Sequence, residues 1–331
     1  MTQPESESAT TTETATAHPT RVLLTGATGF VGRYVLREIL NRGHRAICLT
    51  RSRSALADVA RSLDRSRIVA VDGSLFDSGA LRDAAAQSDS AIHLVGIIME
   101  RRWRGQTFEH VHREGTERVV NAVRAGGIRR YLHMSALGTR ADAVARYHRT
   151  KFAAEQCVRA SGLQWTIFRP SLIHGPDGEF MQLMKRFACG WIPPVTPYFG
   201  TGESRIQPVS VRDVAYCMVD ALARDATIGQ TFEMGGPDRY NWKELYQTCR
   251  RLMPGAKRWK LMVSQPVPVA KLVARTIMKT PLVPTALKFN VDQVAMSQED
   301  SVCEIAPVES SFGIRLRRFE DELSRYAELI R

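Results

Sequence analysis

The chain has 331 residues, 44% of them hydrophobic and 24% charged, and its formal net charge is +12. These values are ordinary for a soluble globular protein and leave room for one large α/β domain with a smaller lobe. The basic residues are mostly dispersed arginines that do not alternate with aromatic residues, so we expect no nucleic-acid partner. The apolar runs are too short for a transmembrane helix.

The cysteines and the composition of the N-terminus both bear on the cellular compartment of the protein. The six cysteines are scattered and form no C-x-x-C pair, which argues against a zinc site or a disulfide framework, so we expect no metal and a reducing environment. Residues 1–20 are rich in Thr, Ser, Glu and Ala and contain no Lys or Arg. They resemble neither a signal peptide nor a transit peptide and predict a disordered tail. We therefore expect a cytoplasmic protein.

The first predicted strand, Val22–Thr25, leads into a glycine-rich turn. Gly26, Gly29 and Gly32 have G-x-x-G-x-x-G spacing, and a predicted helix and a second strand follow. Glycine permits a sharp turn and close approach of a diphosphate, and the helix N-terminus offers free N–H groups. This context predicts a dinucleotide-binding site. The predicted cofactor contacts in the turn are Gly26, Ala27, Thr28, Gly29, Phe30, Val31, Gly32 and Arg33.

Strands and helices alternate from residue 21 onward, which predicts an α/β fold with a doubly wound parallel sheet. The predicted strands are Val22–Thr25, Ala46–Thr50, Ile68–Val71, Ala91–Val95, Arg130–Met134 and Gln164–Phe168, with a returning strand at Gln230–Met234. The predicted helices between them cover 31–42, 54–63, 78–88, 109–126 and 143–161. A further helix is predicted to begin with Asp213 as its N-cap.

Composition also suggests a division into domains. Residues 174–205 are rich in Gly, Pro and aromatic residues, as in a substrate-facing loop region, and the last 90 or so residues are mainly helical with proline breaks. We assign residues 21–176 and 206–236 to the nucleotide-binding domain. A smaller, mainly helical substrate lobe is assigned residues 177–205 and 237–331.

One predicted helix of this lobe is amphipathic. Its apolar face carries Val269, Leu272, Val273 and Ile277, and its basic residues at spacing four are Lys271, Arg275 and Lys279. The pattern favours a surface helix packed on the lobe. The alternative is a basic helix lying on an anionic membrane, which would place the protein at the inner face of that membrane or against a membrane complex.

The candidate catalytic residues are Ser135, Tyr147 and Lys151. Tyr147 and Lys151 form Y-x-x-x-K, one turn apart on the fifth helix. Ser135 ends the fifth strand, at the sheet edge where such folds bind ligands. A free phenol has a pKa of about 10, and the ammonium together with an oxidised nicotinamide would lower the pKa of Tyr147.

In this interpretation, Tyr147 exchanges a proton with a substrate hydroxyl or carbonyl, Ser135 hydrogen-bonds the same oxygen, and Lys151 bonds the nicotinamide ribose. The alternative is a buried tyrosine beside an extended lysine, and a serine that only caps a strand.

The end of the second strand favours NADPH over NADH. An NAD site normally carries Asp or Glu there, but Arg51 and Ser52 follow Thr50. A guanidinium pairs well with phosphate oxygens, so Arg51 and Ser52 suit a 2′-phosphate, and Arg33 offers a second contact. The alternative is that these arginines are solvated surface charges.

Six segments follow one another along the chain: TGATGFVG, HMSALG, YHRTK, FRPSLIHGP, QPVSVRDVA and FEMGGP. Together they resemble the atypical and extended short-chain dehydrogenase/reductase families, and the extended family is NAD-dependent epimerase/dehydratase-like. Residues 21 to 250 resemble the branch of the NAD(P)H-binding accessory subunit of respiratory complex I and its bacterial relatives. The resemblance implies a Rossmann domain, a small C-terminal substrate lobe and a bound nicotinamide dinucleotide. Some members of this branch are binding or assembly subunits.

The chain departs from the wider family at two places. Extended members carry an acidic residue after the third strand, near the adenine, and either Asp72 or Ser74 could fill that role here. His174 stands where sugar-nucleotide enzymes carry a tyrosine, which disfavours a nucleotide-sugar substrate and makes His174 a loop residue. The other predicted cofactor contacts are Leu94, Val95, Gly96 and Pro170.

Three functions follow, in order of preference. The first is an NADPH-dependent oxidoreductase that transfers a hydride at a carbonyl or alcohol carbon. The second is a non-catalytic NADPH-binding accessory or assembly protein of a membrane redox complex, and the third is a sugar-nucleotide epimerase or dehydratase. The lobe carries aromatic residues that suit either a small hydrophobic substrate, such as a quinone or isoprenoid, or ordinary packing: Phe180, Phe187, Trp191, Tyr198 and Phe199.

Overall fold

The computed structural model describes residues 20–191, 195–257, 259–279, 283 and 287–330. The predicted disordered tail, apart from Thr20, lies outside these residues. The strands are β1 (Arg21–Thr25), β2 (Arg45–Thr50), β3 (Ile68–Asp72), β4 (Ser90–His93), β5 (Arg130–Met134), β6 (Gln164–Pro170), β7 (Ile173–His174), β8 (Thr196–Phe199), β9 (Arg205–Ile206), β10 (Val209–Ser210), β11 (Gln230–Met234), β12 (Tyr240–Asn241) and β13 (Met262–Gln265). The α-helices are α1 (Phe30–Asn41), α2 (Arg53–Val59), α3 (Ser78–Ala86), α4 (Gly115–Ala125), α5 (Arg146–Arg159), α6 (Glu179–Cys189), α7 (Val211–Asp220), α8 (Trp242–Leu252), α9 (Val267–Arg275), α10 (Val291–Met296), α11 (Ala306–Phe312) and α12 (Phe319–Tyr326).

A parallel sheet of seven strands forms the centre of the molecule, in the order β11-β6-β5-β4-β1-β2-β3. The chain winds outward in both directions from β1 and β4. Such a reversal of strand order opens a crevice at the carboxyl ends of the strands, where ligands bind in this architecture. The doubly wound parallel sheet of the Rossmann fold is therefore confirmed, and the predicted helices match the helical segments within a few residues.

Helices cover both faces of this sheet. Successive side chains of a strand point to opposite faces, so Leu24 packs with Val35 of α1 and Met218 of α7, whereas Leu23 packs with the layer of α3, α4 and α5. Because water reaches neither face, β1 is a continuous apolar run rather than an alternating pattern.

Helix α7 begins earlier than predicted. Ser210 is its N-cap and accepts a hydrogen bond from the N–H of Arg212 at 3.3 Å, so the prediction that Asp213 caps this helix is wrong. The Asp213 side chain is buried within the first turn and accepts a hydrogen bond from the backbone N–H of Arg317 at 2.8 Å and another from its guanidinium. Asp213 is therefore buried because it pairs with Arg317, which is distant in sequence and is not part of any local pattern.

The C-terminal part contributes to both regions of the molecule. Helices α6, α8 and α12 pack together around Met181, Leu245 and Phe319 in a separate apolar cluster. Helix α11 instead packs on the sheet through Val308 and Phe312, although we assigned its residues to the lobe. The division into two domains otherwise stays a prediction.

Candidate functional site

The glycine turn lies between β1 and α1. Gly26 has a φ of +83°, and a Cβ on Gly32 would collide with the carbonyl oxygen of Gly26. The N–H of Gly29 donates to that same oxygen at 3.0 Å. Gly29 is the N-cap of α1. Because glycine has no side chain, it makes no capping hydrogen bond to the first N–H groups of the helix. The backbone is thus folded tightly over a helix N-terminus, which fits the diphosphate of a dinucleotide.

Two further residues border this turn. A Cβ on Gly26 would lie 3.3 Å from Cγ2 of Val95, so the loop after β4 closes one side. The guanidinium of Arg33 lies 3.4 Å from the carboxylate of Asp177. Its Nε is buried and has no hydrogen-bond partner among the described residues. A buried donor of this kind fits an anionic ligand beside the turn.

The end of β2 carries the predicted 2′-phosphate contacts. Ser52 is the N-cap of α2, and its hydroxyl oxygen accepts from the N–H of Ala55 at 3.2 Å. Arg51 is exposed and forms no ion pair with any part of the chain that the structure describes. The Arg51 guanidinium is therefore accessible to a phosphate, and the choice between NADPH and NADH stays a prediction.

The two candidates for the adenine contact already serve the local structure. The carboxylate of Asp72, at the end of β3, pairs with the guanidinium of Arg53. The hydroxyl oxygen of Ser74 accepts a hydrogen bond from the N–H of Phe76 at 3.2 Å. Neither arrangement selects one residue over the other, so the adenine contact stays a prediction.

Lys151 lies at the carboxyl ends of β4 and β5. Its side chain is buried, and Nζ donates to the carbonyl oxygen of Met134 at 3.0 Å. Burial lowers the pKa of the ammonium to about 8. A Cβ on Gly96 would lie only 3.0 Å from Nζ, so the loop after β4 passes close to this charge because it has no side chain there. Lys151 and Gly96, both predicted cofactor contacts, are thus neighbours.

Ser135 follows directly after β5. Its N–H donates to the carbonyl oxygen of Phe168 at 2.7 Å, and its hydroxyl donates to Oγ1 of Thr139 at 3.4 Å. The predicted contact Pro170 ends the neighbouring strand β6, and its carbonyl oxygen accepts from the N–H of Leu137 at 2.9 Å. Backbone hydrogen bonds therefore fix the loop that presents the serine.

Tyr147 lies in the first turn of α5 among aromatic rings. Its ring meets those of Phe108, His112 and His148 edge to face, with centroids 5.8, 5.3 and 5.3 Å away. Burial raises the pKa of the phenol to about 12. In the protein by itself, burial thus dominates the pKa of Tyr147, and the lowering expected from Lys151 together with an oxidised nicotinamide stays a prediction. The Lys151 ammonium is bound to a carbonyl oxygen, and the phenolate would be poorly solvated among these rings.

His112 is a supporting residue that we did not predict. The Thr150 hydroxyl donates to the carbonyl oxygen of Tyr147 at 3.0 Å and lies 2.9 Å from Nδ1 of His112. Nε2 of His112 lies 3.1 Å from the backbone nitrogen of Ile97 and 3.0 Å from its carbonyl oxygen. His112 lies in a widened helical turn, Glu109–Glu114. It links the loop after β4 to the helix of Tyr147, and no sequence motif marks it.

A second missed contribution comes from residues 290–299, which we name the α10 segment. The carboxylate of Asp292 accepts hydrogen bonds from the backbone N–H groups of Arg146 and Tyr147 and so caps α5. The amide of Asn290 donates to the carbonyl oxygen of Ile98 at 2.8 Å. This segment therefore holds the candidate catalytic helix from a distant part of the sequence, which no local pattern could reveal.

His174 has a structural position. It lies in β7 and is fully buried, its Nδ1 lies 3.0 Å from the hydroxyl of Tyr326, and its ring meets that of Phe319 edge to face. Burial lowers the pKa of the imidazole to about 3. Phe180 and Phe187 likewise pack on Trp242 and Tyr246 inside the lobe, so these aromatic residues are part of ordinary packing.

Comparisons with known proteins show the family and the fold of this chain. A family model described as NAD(P)H-binding matches residues 26–225. Ceramide reductase of Caulobacter vibrioides is 32% identical over 239 residues, which cover 71% of this chain and 71% of that protein. The mitochondrial NADH dehydrogenase (ubiquinone) 1 alpha subcomplex subunit 9 of Arabidopsis thaliana is 29% identical over 290 residues, or 84% of this chain and 69% of that protein.

Among solved structures, UDP-glucose 4-epimerase of Thermotoga maritima with UDP-glucose superposes with a TM-score of 0.70. The sequence identity is 16%, and the match covers 93% of this chain and 98% of that one. At this identity the likeness shows the fold alone.

Proposed function

The chain belongs to the NAD(P)H-binding family, and from this premise we propose that it is an NADPH-dependent reductase of a hydrophobic carbonyl compound. The observation that carries the proposal is the buried Lys151 ammonium at the carboxyl ends of β4 and β5, with Tyr147 one turn earlier on α5 and Ser135 directly after β5. The likeness to a ceramide reductase favours reduction and a long-chain substrate.

The residues that would hold the cofactor are distributed over three strand ends. The N–H groups of the glycine turn would bind the diphosphate, and Arg51 with Ser52 would bind the 2′-phosphate. The Lys151 ammonium would bond the nicotinamide ribose. When bound, the nicotinamide supplies a hydride to the substrate carbon.

Tyr147 acts as the proton donor in this proposal. With a pKa of about 12 its hydroxyl keeps its proton at all physiological pH values, which suits donation to a carbonyl oxygen that gains negative charge. Ser135 donates a hydrogen bond to the same oxygen and stabilises that charge.

The test is the Tyr147→Phe variant, assayed by NADPH oxidation with an N-acyl 3-ketosphinganine, the ketone form of a ceramide. We expect the turnover rate to fall by about 10²- to 10⁴-fold, while NADPH affinity by fluorescence titration stays unchanged. The matched control is Tyr131→Phe, which removes a buried hydroxyl without a hydrogen-bond partner among the described residues. A Tyr147→Phe rate equal to wild type, or no ketone-dependent oxidation by a wild-type protein that binds NADPH, would contradict the proposal.

A second candidate function is favoured by the match to the Arabidopsis subunit, which extends over 84% of this chain. In that case bound NADPH stabilises a protein that assembles or regulates a membrane redox complex. Respiratory activity of cells that carry Tyr147→Phe separates the two functions. Respiration that is lost when the protein is removed and is fully restored by Tyr147→Phe, with normal cofactor binding, supports the assembly function.

A further inference from the structure

Helix α9 turns its small side chains inward and its large apolar side chains outward. Ala270 and Ala274 are buried, whereas Val269 is 52% and Leu272 is 61% exposed. This differs from the predicted packing of the apolar face on the lobe. Since burying such side chains stabilises a protein, their exposure on one helix needs another explanation.

The exposed apolar side chains continue along the chain before α9. Leu261 and Val263 alternate on one side of the strand that leads into this helix, with 71% and 40% exposure. The ring of Trp259, just before them, lies 6.5 Å from the ring of Trp191, and both indoles are exposed. The apolar surface, as we name it, consists of Trp191, Trp259, Leu261, Val263, Val269 and Leu272.

Basic side chains flank the apolar surface, and no acidic ones balance them in sequence. Residues 245–291 contain nine Lys and Arg and no Asp or Glu. Nζ of Lys257 lies 2.8 Å from the ring centroid of Trp191. Lys271 and Arg275, on α9, form no ion pair with other described residues. Arg251 of this region pairs with Glu320, so Lys271 and Arg275 are the cations that the proposal below uses.

We propose that the apolar surface and its flanking cations bind the protein to the surface of an anionic lipid bilayer. Large apolar and indole side chains beside lysines and arginines are the composition of segments that lie in the headgroup region. The indoles of Trp191 and Trp259 would lie at headgroup level, and Lys271 and Arg275 would pair with lipid phosphates. In the described part of the chain, no helix is both long and apolar enough to cross a bilayer, so this contact is peripheral.

The experiment is flotation of the full chain with phosphatidylcholine vesicles, with or without phosphatidylglycerol. We expect binding only to vesicles that contain phosphatidylglycerol, and weaker binding as the NaCl concentration rises, because salt screens the attraction. Replacing Lys271 or Arg275 with Ala should weaken binding by about five-fold for each cation. Unchanged NADPH affinity shows that each variant is folded.

A matched pair of tryptophan variants tests the location of the contact. Trp191→Ala should reduce vesicle binding, whereas Trp103→Ala should not. Trp103 is equally exposed, and Arg104 lies over its ring at 4.3 Å, but it lies in a different loop. No flotation with phosphatidylglycerol vesicles, or equal losses in the two variants, would overturn the proposal. Capture of an acidic protein without any vesicle binding would overturn it as well.

Discussion

The glycine turn and the α10 segment both contribute to the candidate site, but the contacts of the turn are local in sequence and those of the α10 segment are distant. The turn consists of Gly26–Arg33, in which backbone atoms contact backbone atoms a few residues away. The α10 segment reaches the start of α5 through Asp292, whose partners Arg146 and Tyr147 lie about 145 residues earlier. The turn therefore depends on the absence of side chains, and the α10 segment depends on single polar contacts. We expect substitutions to act sterically in the first region and on positioning in the second.

The largest effect is expected for Gly32→Ala. Its new Cβ would meet the carbonyl oxygen of Gly26, so the turn must shift or α1 must move away. We expect a loss of about 1–3 kcal/mol in the free energy of unfolding. A loss of binding energy of the same size weakens NADPH affinity, measured by fluorescence titration, by roughly 5- to 150-fold. Gly79→Ala is the control, because its Cβ would make an ordinary 3.4 Å contact in α3. Normal NADPH binding by Gly32→Ala would show that the turn is not the diphosphate site.

An intermediate effect is expected for Arg51→Ala, which removes a side chain and leaves the turn intact. Loss of a charged hydrogen bond worth about 1.5–3 kcal/mol should weaken NADPH binding by roughly 10- to 100-fold. NADH binding should change little, because NADH has no 2′-phosphate. Arg61→Ala serves as control, since Arg61 is an exposed arginine paired with Asp58. Equal losses for both cofactors, measured by calorimetry, would refute the NADPH assignment.

The smallest effect is expected for Asp292→Ala. Loss of a helix cap costs about 1 kcal/mol, and a displaced Tyr147 should raise KM for the ketone without changing the dissociation constant of NADPH. Asp300→Ala is the matched control. The Asp300 carboxylate also accepts a hydrogen bond from a backbone N–H, but the donor is Arg205, at 2.8 Å, and not a residue of α5. If both variants lower stability and leave KM unchanged, the α10 segment has a structural role only.

The same difference between local and distant contacts explains which parts of the two regions could be predicted from the sequence. The sheet and the glycine turn could be predicted because they depend on residues that are close in sequence. Strand β1 is a continuous apolar run, and Gly32 avoids a clash with the backbone of Gly26, six residues earlier. Ser135, Tyr147 and Lys151 could be placed on the correct elements because strand ends meet at one edge of a parallel sheet. Their roles in catalysis stay predictions.

The rest depends on contacts between distant segments. The raised pKa of Tyr147 results from the rings of Phe108 and His112, which arrive from the region after β4. The cap of α5 comes from Asp292, and no pattern near residue 146 indicates it. We predicted that the face of α9 with the large apolar side chains packs on the lobe, but the buried face carries Ala270 and Ala274. Helical spacing alone does not tell which face a neighbouring element covers.

The buried pair of Asp213 and Arg317 restricts how this protein can be divided. Burial raises the pKa of Asp213, and the guanidinium and N–H of Arg317 oppose that rise. A chain truncated before residue 317 would leave this carboxylate inside the protein without its cation. Because the Arg317 side chain is 43% exposed, solvent screens part of the attraction, and we expect a cost below the roughly 3–5 kcal/mol of a fully buried pair. The last fifteen residues thus support α7, a helix that packs on the central sheet, and we expect that they cannot be exchanged between relatives without loss of stability.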